Sequence, residues 1–515
     1  MTSPFPWQET EFTLQAAQPH AQPYTAVEVW ADFQHENGLT LRRPAFWDGG
    51  QTWKVRFASP GLTGRWTFKT DASVNDPGLK GLQHELQVIA RPAEHPAHLF
   101  YDHGFWRMSP GHRNFIHADG TPALLVADTP WAMPFRASPD QVRVYAADRQ
   151  RKGFNAALLM TVQPDMGATG PRSRTEDHGF DVAFEDLPQG HLNDLNPTYF
   201  QTLDELLGIL VEHEIVPVLQ PAFHGYGWKG QRTVGKVVPG DEYARYCRYL
   251  VARYGARPAV YLIGADGHGH EPGIVAGGQE VHTWDAYAQP TGMHYAPAML
   301  ANAHQDADWL DFQWCQTGHL GDHVPERVAD MWRNQPAKGV ANGEPTYENH
   351  GGAAHADGWW QGHEAWSNLC AGGTLGVVYG AGSLWQWRLH SHEEGFYWVT
   401  QAPEAGWREA LDFSGATHVG LLGRILHGLP VTDMTPNWLV GYGARGLFVP
   451  DELYIAYQHH GQPFHVWHDA GVPFLYRVVN AQTGEVLHQG HRADVNNIIP
   501  GLPGTPTVTI LHREA

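Results

Sequence analysis

The sequence predicts an α/β fold: a (β/α)8 TIM barrel flanked by N-terminal and C-terminal β-sandwich domains. Three observations predict it. From Pro122 onward, strand-like apolar runs alternate with helical patterns, the sign of βα units around a parallel sheet. The two flanks instead read as short strands punctuated by Gly and Pro, as sandwiches do. Polar residues also collect just after the barrel strands, the end at which such barrels keep their chemistry. At 515 residues the chain is too long for a single core, so several domains are expected.

Residues 1–96 form the first domain. Tyr24 to Phe33 alternates apolar and polar residues, Asp48-Gly-Gly50 is a turn, and strands follow at 53–57, 64–69 and 82–89. No pair of acids stands out here, so a supporting role is expected ahead of carbohydrate binding. Arg91-Pro-Ala-Glu-His-Pro96 is a stiff linker, and residues 97–121 read as a hairpin turning at Asp119-Gly120.

The barrel domain spans 97–430, with strand candidates at 122–128, 154–162, 215–223, 259–266, 292–300, 309–316, 339–344 and 375–386. The fifth is the weakest, because Pro297 resists a central ladder. Helical patterns run from Pro139 to Lys152, Tyr199 to Glu214, Asp241 to Tyr254, Val324 to Asn334 and Trp359 to Cys370. Residues Trp407 to Leu429 close the barrel. The last domain, 431–515, is β-like again, with strands expected at 438–442, 446–449, 453–457, 464–467, 476–480 and 507–511.

Composition narrows the chemistry. The 54 acidic and 34 basic residues give a formal charge of −20, which opposes a phosphate backbone, so nucleic acid is not an expected partner. No apolar run is long enough to span a membrane. The start lacks a basic region followed by an apolar core, and the three cysteines, Cys247, Cys315 and Cys370, are widely spaced. A cytoplasmic protein is therefore expected. The 21 Trp and 19 Tyr supply flat amphipathic faces suited to sugar rings. No cofactor or metal is expected, since the 33 His include no His-Glu-x-x-His. The best metal-like cluster is His268-Gly-His270-Glu271.

Two stretches carry the strongest functional signal. Ala259-Val-Tyr-Leu-Ile-Gly-Ala-Asp266 is an apolar run that ends in a carboxylate and a glycine-rich loop, Gly267 to Gly278. Gly339-Val-Ala-Asn-Gly-Glu344 repeats the pattern. Two strand-end carboxylates in one α/β array are the minimum apparatus for cutting a glycosidic bond. Candidate substrate contacts lie after the other strands: Asp128, Trp131, His224, Trp228, Gln316, His319, Tyr347, Trp385 and Trp387. Glu348, four residues beyond Glu344, should point away, and Glu271 is the reserve proton donor.

With these residues in place, the chain resembles the apiosidase-like glycoside hydrolases over nearly its whole length. Phe46-Trp-Asp-Gly-Gly50, Lys54-Val-Arg-Phe-Ala-Ser-Pro60 and Gly64-Arg-Trp-Thr-Phe68 resemble the N-terminal sandwich that precedes such barrels. Phe115-Ile-His-Ala-Asp-Gly-Thr-Pro122, Asp128-Thr-Pro-Trp131 and Lys152-Gly-Phe-Asn-Ala156 are similar to the family's first two barrel strands. Asn342-Gly-Glu-Pro-Thr-Tyr-Glu348 resembles its strand-seven signature, and the C-terminal segment is similar to a small β-domain labelled collagen-binding. The resemblance implies an acid/base aspartate after strand four, here Asp266, and a nucleophilic glutamate after strand seven, here Glu344. The strand-four motif departs from the family, reading Ile-Gly-Ala-Asp where two glycines more often precede the aspartate.

The expected function is a retaining glycoside hydrolase acting on an oligosaccharide or glycoside by double displacement. Two alternatives stand beside it. One is a non-catalytic carbohydrate-binding or structural protein with a decayed barrel. The other is a metal-dependent hydrolase using His268 and His270.

Overall fold

A computed structural model describes residues 3–163, 166–225, 233–297, 302–319, 325–350, 358–393, 405–437, 445–465, 473–492 and 498–513. Eight parallel strands form the central sheet: Leu125–Asp128, Ala156–Met160, Val216–Gln220, Val260–Gly267, Thr291–Tyr295, Phe312–Gln316, Gly339–Glu344 and Gly376–Tyr379. Each pairs with its neighbour in sequence, and the eighth returns to pair with the first. Between the seventh and eighth the ring is closed by Leu375 N–H donating to Val340 O at 3.2 Å and by Glu348 N–H donating to Gly380 O at 2.9 Å. All-parallel strands covered on both faces must be apolar throughout, and those at 125–128, 156–160, 216–220 and 312–316 are buried at every position.

Helices Pro139–Lys152 and Trp359–Cys370 fall on the expected bounds, and Pro197–Glu212 and Gly240–Tyr254 nearly so. Ser138 shows why the first begins there: its hydroxyl accepts from Gln141 N–H, while the Gln141 side chain accepts from Ser138 N–H. The long helix after strand four was not legible. Pro272–Trp284 occupies much of the stretch read as a glycine-rich loop. Its glycines serve close approach to neighbouring side chains, since a Cβ at Gly273 would sit 2.5 Å from the Tyr243 ring and one at Gly278 2.3 Å from Trp309. The eighth strand is also shorter than the pattern suggests, because Gly382–Trp385 turns into a helix. The fifth ends at Tyr295, so Pro297 follows the ladder and does not interrupt it.

The N-terminal domain packs a three-stranded sheet (Thr10–Gln15, Phe46–Trp47, Thr52–Phe57) against a four-stranded one (Val29–His35, Thr40–Pro44, Gly64–Ala72, Gln83–Val88). Phe33 and Phe57 stack across that core at 4.2 Å. Tyr24 does not open a strand. Pro23 instead starts a helical turn, Pro23–Ala26, in the position where its missing N–H costs nothing. The stretch at 97–121 contains an unexpected helix, Leu99–His103, ahead of antiparallel strands Trp106–Met108 and Phe115–His117.

The C-terminal part holds a six-stranded antiparallel sheet and a two-stranded one. The large sheet includes Arg445–Val449, Leu453–Gln458, Phe474–Asn480 and Thr507–Arg513, together with an unanticipated strand, Val486–Arg492. The strand expected at 438–442 lies outside the described residues. Among the described residues, no helix is long and apolar enough to cross a membrane.

Candidate active site

Two irregularities in the ladder place the two acids. The fourth strand shifts register against the fifth between Leu262 and Gly267, and Asp266 within that bulge has φ +56°. A left-handed aspartate at a strand end is a conformation that the surrounding fold must impose. The sixth and seventh strands also shift, between Cys315 and Gln316, which sets Gln316 opposite Glu344. Bulges of this kind re-aim side chains at barrel rims.

The result is a compact cluster. One carboxylate oxygen of Asp266 and one of Glu344 lie within 4.8 Å of each other. Gln316 Nε2 donates to Asp266 Oδ1 at 2.6 Å, and His319 Nε2 lies 2.6 Å from Glu344 Oε1. The His319 ring is held by Tyr347 at 4.2 Å and His350 at 4.5 Å between ring centres. Behind them Glu364 accepts from Thr346 N–H at 3.0 Å and from Thr317 Oγ1 at 3.1 Å, while Asn342 Nδ2 donates to Thr317 Oγ1 at 2.8 Å. This network ties the loops after strands six and seven together.

Electrostatics separates the two carboxyls. Burial, reinforced by the charge of Glu344, pushes Asp266 well above the usual carboxylate range. Burial also lifts Glu344, to about 7, but a hydrogen bond from Asp266 works against that rise. Asp266 is thus the carboxyl of the pair raised further, the one that keeps its proton to higher pH. Burial lowers His319 to about 4, so its imidazole is neutral. Donation from Nε2 to an ionised Glu344 requires the tautomer in which Nδ1, 3.1 Å from Pro345 O, accepts from Tyr347 N–H at 3.4 Å.

His294 was not anticipated. Its ring is buried, with Nδ1 3.6 Å from Asp266 Oδ1 and Nε2 3.6 Å from Glu344 Oε2. Its only mark in the sequence is its place next to the end of the fifth strand, Thr291–Tyr295. Among the described residues, Asp266, His294 and Glu344 are the one group of His, Cys, Asp and Glu whose ligand atoms could converge on a metal ion. His268 and His270 form no such group: both are exposed, and His268 Nδ1 lies 3.4 Å from Glu271. Glu271 itself accepts from His268 N–H at 2.7 Å and Gly269 N–H at 2.9 Å. Burial would raise Glu271, but these backbone donors outweigh it and hold the group below its ordinary value. That makes it a loop clamp and a poor proton donor.

The other expected contacts divide. Asp266, Gln316, His319, Glu344 and Tyr347 come together. Trp131 stacks on Trp385 at 5.4 Å and meets Phe223 edge-on at 5.3 Å, and Phe223 and Asp266 both flank Gly225. Trp228 lies outside the described residues. His224 is fully buried against Tyr243 and is held neutral by that burial. Asp128 is a core charge, not a substrate contact. Its Oδ2 accepts from Arg149 Nε at 2.5 Å and Tyr145 OH at 3.0 Å, and its Oδ1 from Thr129 N–H at 2.7 Å. Glu348 accepts from Tyr379 OH and Gly415 N–H, as a structural acid should.

Trp387 is likewise core. It is fully buried, stacks on Trp407 at 5.1 Å and donates Nε1–H to Gln141 Oε1 at 2.8 Å. Trp387→Ala is therefore expected to cost about 3–5 kcal/mol in chemical denaturation. A cost below about 1 kcal/mol would show that the ring is not part of the core.

The comparisons with known proteins fit this geometry. The sequence pattern of the family described as "Apiosidase-like, catalytic domain" matches residues 109–433, and that of a domain of unknown function, DUF5060, matches residues 5–73. Among solved structures, a Bacteroides vulgatus protein provisionally named a glycoside hydrolase is similar over 100% of both chains, with TM-score 0.74 and 15% identity. A glycoside hydrolase family 5 protein from Bacteroides vulgatus is similar over 81% of this chain and 95% of its own, with TM-score 0.68 and 18% identity. At such identities the likeness speaks for the fold, which is that of glycoside hydrolases. None of the curated proteins matches the sequence significantly.

Proposed function

Because the chain belongs to the apiosidase-like family, we propose that it hydrolyses an oligosaccharide or glycoside with retention of configuration, using Glu344 as nucleophile and Asp266 as acid/base. The observation that carries this reading is the close approach of the two carboxyls at the C-terminal ends of strands four and seven, within 4.8 Å oxygen to oxygen. An inverting enzyme needs about 6.5–9.5 Å between its carboxyl groups to admit a water, whereas direct attack needs about 5–5.5 Å.

In the first half-reaction an oxygen of Glu344 attacks the anomeric carbon. The bond to the leaving oxygen breaks as Asp266 transfers its proton to that oxygen, leaving a glycosyl ester on Glu344 and a carboxylate on Asp266. In the second, Asp266 takes a proton from water while the water oxygen displaces Glu344. The free sugar and the starting protonation states are restored. Gln316 holds Asp266 in place, and His319 steadies the negative charge on Glu344. Turnover should therefore rise with pH as Glu344 ionises and fall as Asp266 loses its proton. Trp385, partly exposed and backed by the buried Trp131, is the platform we assign to a sugar ring. We place the protein in the reducing cytoplasm on the strength of three buried, unpaired cysteines.

A turnover screen on aryl glycosides and on plant and microbial oligosaccharides tests the proposal. Hydrolysis of at least one class, lost in both Asp266→Asn and Glu344→Gln on unactivated substrates, is the expected result. Sugar binding without turnover across the screen would favour a decayed barrel.

A further inference from the structure

His294 sits beneath the reacting pair. Neither ring nitrogen reaches solvent or has a hydrogen-bond partner among the described residues, yet each faces a different carboxylate at 3.6 Å. That distance is longer than a hydrogen bond, but catalytic hydrogen bonds are often long in the free enzyme and tighten when substrate arrives. A buried imidazole with two orphaned nitrogens is costly unless its neighbours use it.

We propose that His294 is a positioning residue that bridges Asp266 and Glu344, offering its one N–H to ionised Glu344 and its one lone pair to protonated Asp266. A neutral imidazole has one donor and one acceptor, and the retaining mechanism needs one ionised and one protonated carboxyl. The two inventories match in the free enzyme: Asp266 O–H faces Nδ1 and Nε2–H faces Glu344 Oε2, and the Asp266 proton turns from Nδ1 to the leaving oxygen when substrate binds. Burial, which holds the ring well below its ordinary pKa at about 3, keeps the imidazole from taking the proton itself. Substrate cannot reach the nitrogens, so the ring acts through the carboxylates.

The titratable groups facing His294 are Asp266 on strand four, Glu344 on strand seven and His319 after strand six, while Trp314 on the neighbouring strand meets it edge-on at 6.2 Å. Around the pair, Lys236 acts on Asp266 and Tyr347 lies against Glu344. None of these supplies both a donor and an acceptor to the two carboxyls at once.

The inference rests on the proposed two-carboxylate mechanism, and kcat/KM against pH tests it on a substrate with an unactivated leaving group. The ascending limb reports Glu344 and the descending limb Asp266. His294→Leu should raise the first and lower the second by about one pH unit each, narrowing the bell from both sides. His294→Gln, whose amide keeps one donor and one acceptor, should restore part of the width. A lower plateau with unmoved limbs in His294→Leu would overturn the inference, leaving the ring a space-filler.

If His294→Leu does not fold, 15N spectra of histidine-labelled wild-type protein decide. The His294 signal, identified by its loss in His294→Gln, should show a neutral ring with one N–H at pH 5 that shifts in Glu344→Gln. An imidazolium, or no response to Glu344→Gln, would overturn the proposal. Azide rescue of Glu344→Ala separates the two levels. If rescue succeeds while the limbs stay put, only the role of His294 fails; if rescue itself fails, the two-carboxylate mechanism fails with it.

Discussion

Glu344→Gln is expected to reduce turnover on the order of 10^4-fold or more, on activated and unactivated substrates alike, because an amide cannot form the glycosyl ester, and neighbouring acids are engaged elsewhere. Glu271 is held by its own loop, and Glu348 is held by Tyr379 and Gly415. Stability should not fall with activity. The substitution removes a carboxylate whose charge is disfavoured by burial and acts on Asp266, and an amide retains a contact for His319 at Oε1. A melting temperature at or above wild type with turnover lost is the expected combination. With Glu344→Ala, added azide should enter the space left by the side chain and give a glycosyl azide of inverted configuration. Substantial turnover in Glu344→Gln on any substrate would remove Glu344 from the nucleophile role.

Asp266→Asn should divide substrates by their leaving groups. A sugar or alkoxide leaving group needs the proton, so loss should be about 10^2–10^4-fold. An activated aryl leaving group departs without it, so the first half-reaction should survive. The glycosyl ester on Glu344 should then accumulate, because the second half-reaction also lacks its base. Azide needs no deprotonation and should speed release, giving a product of retained configuration. The Asn side chain keeps its bond from Gln316 Nε2, so the loss reports chemistry and not collapse of the loop. Equal losses on both substrate types would mean that Asp266 acts through position alone.

Much of this arrangement was legible in the sequence because it depends on local pattern. Strand Gly339–Glu344 and helices Pro139–Lys152 and Trp359–Cys370 match their expected bounds, each having a strong periodicity and a defined end. What was not legible depends on partners distant in the chain. Helix Pro272–Trp284 read as loop because Gly273 and Gly278 suggest flexibility, whereas Tyr243 and Trp309 require them to be small. Asp128 and Asp266 both end barrel strands, and nothing local reveals that Arg149 neutralises the first while Glu344 faces the second. Trp385 and Trp387 are two residues apart, yet one keeps part of its ring exposed and the other stacks inside on Trp407. His294 gains its meaning only when strands four, five and seven stand side by side.

The register shifts are the clearest case. A bulge adds no recognisable motif, but those at Leu262–Gly267 and at Cys315–Gln316 turn two strand ends into a matched pair. Sugar specificity follows different rules again, being set by the loops that surround the pair and not by the carboxyls themselves.

The stereochemistry of the first-formed product tests the central claim most directly. Proton NMR in the first minutes of hydrolysis, before the free sugar mutarotates, reads the configuration at the anomeric carbon. Two displacements at one carbon, the first by Glu344 and the second by water, should give the same anomer as the substrate. An inverted first product would mean that water attacks directly, and would contradict a nucleophilic Glu344.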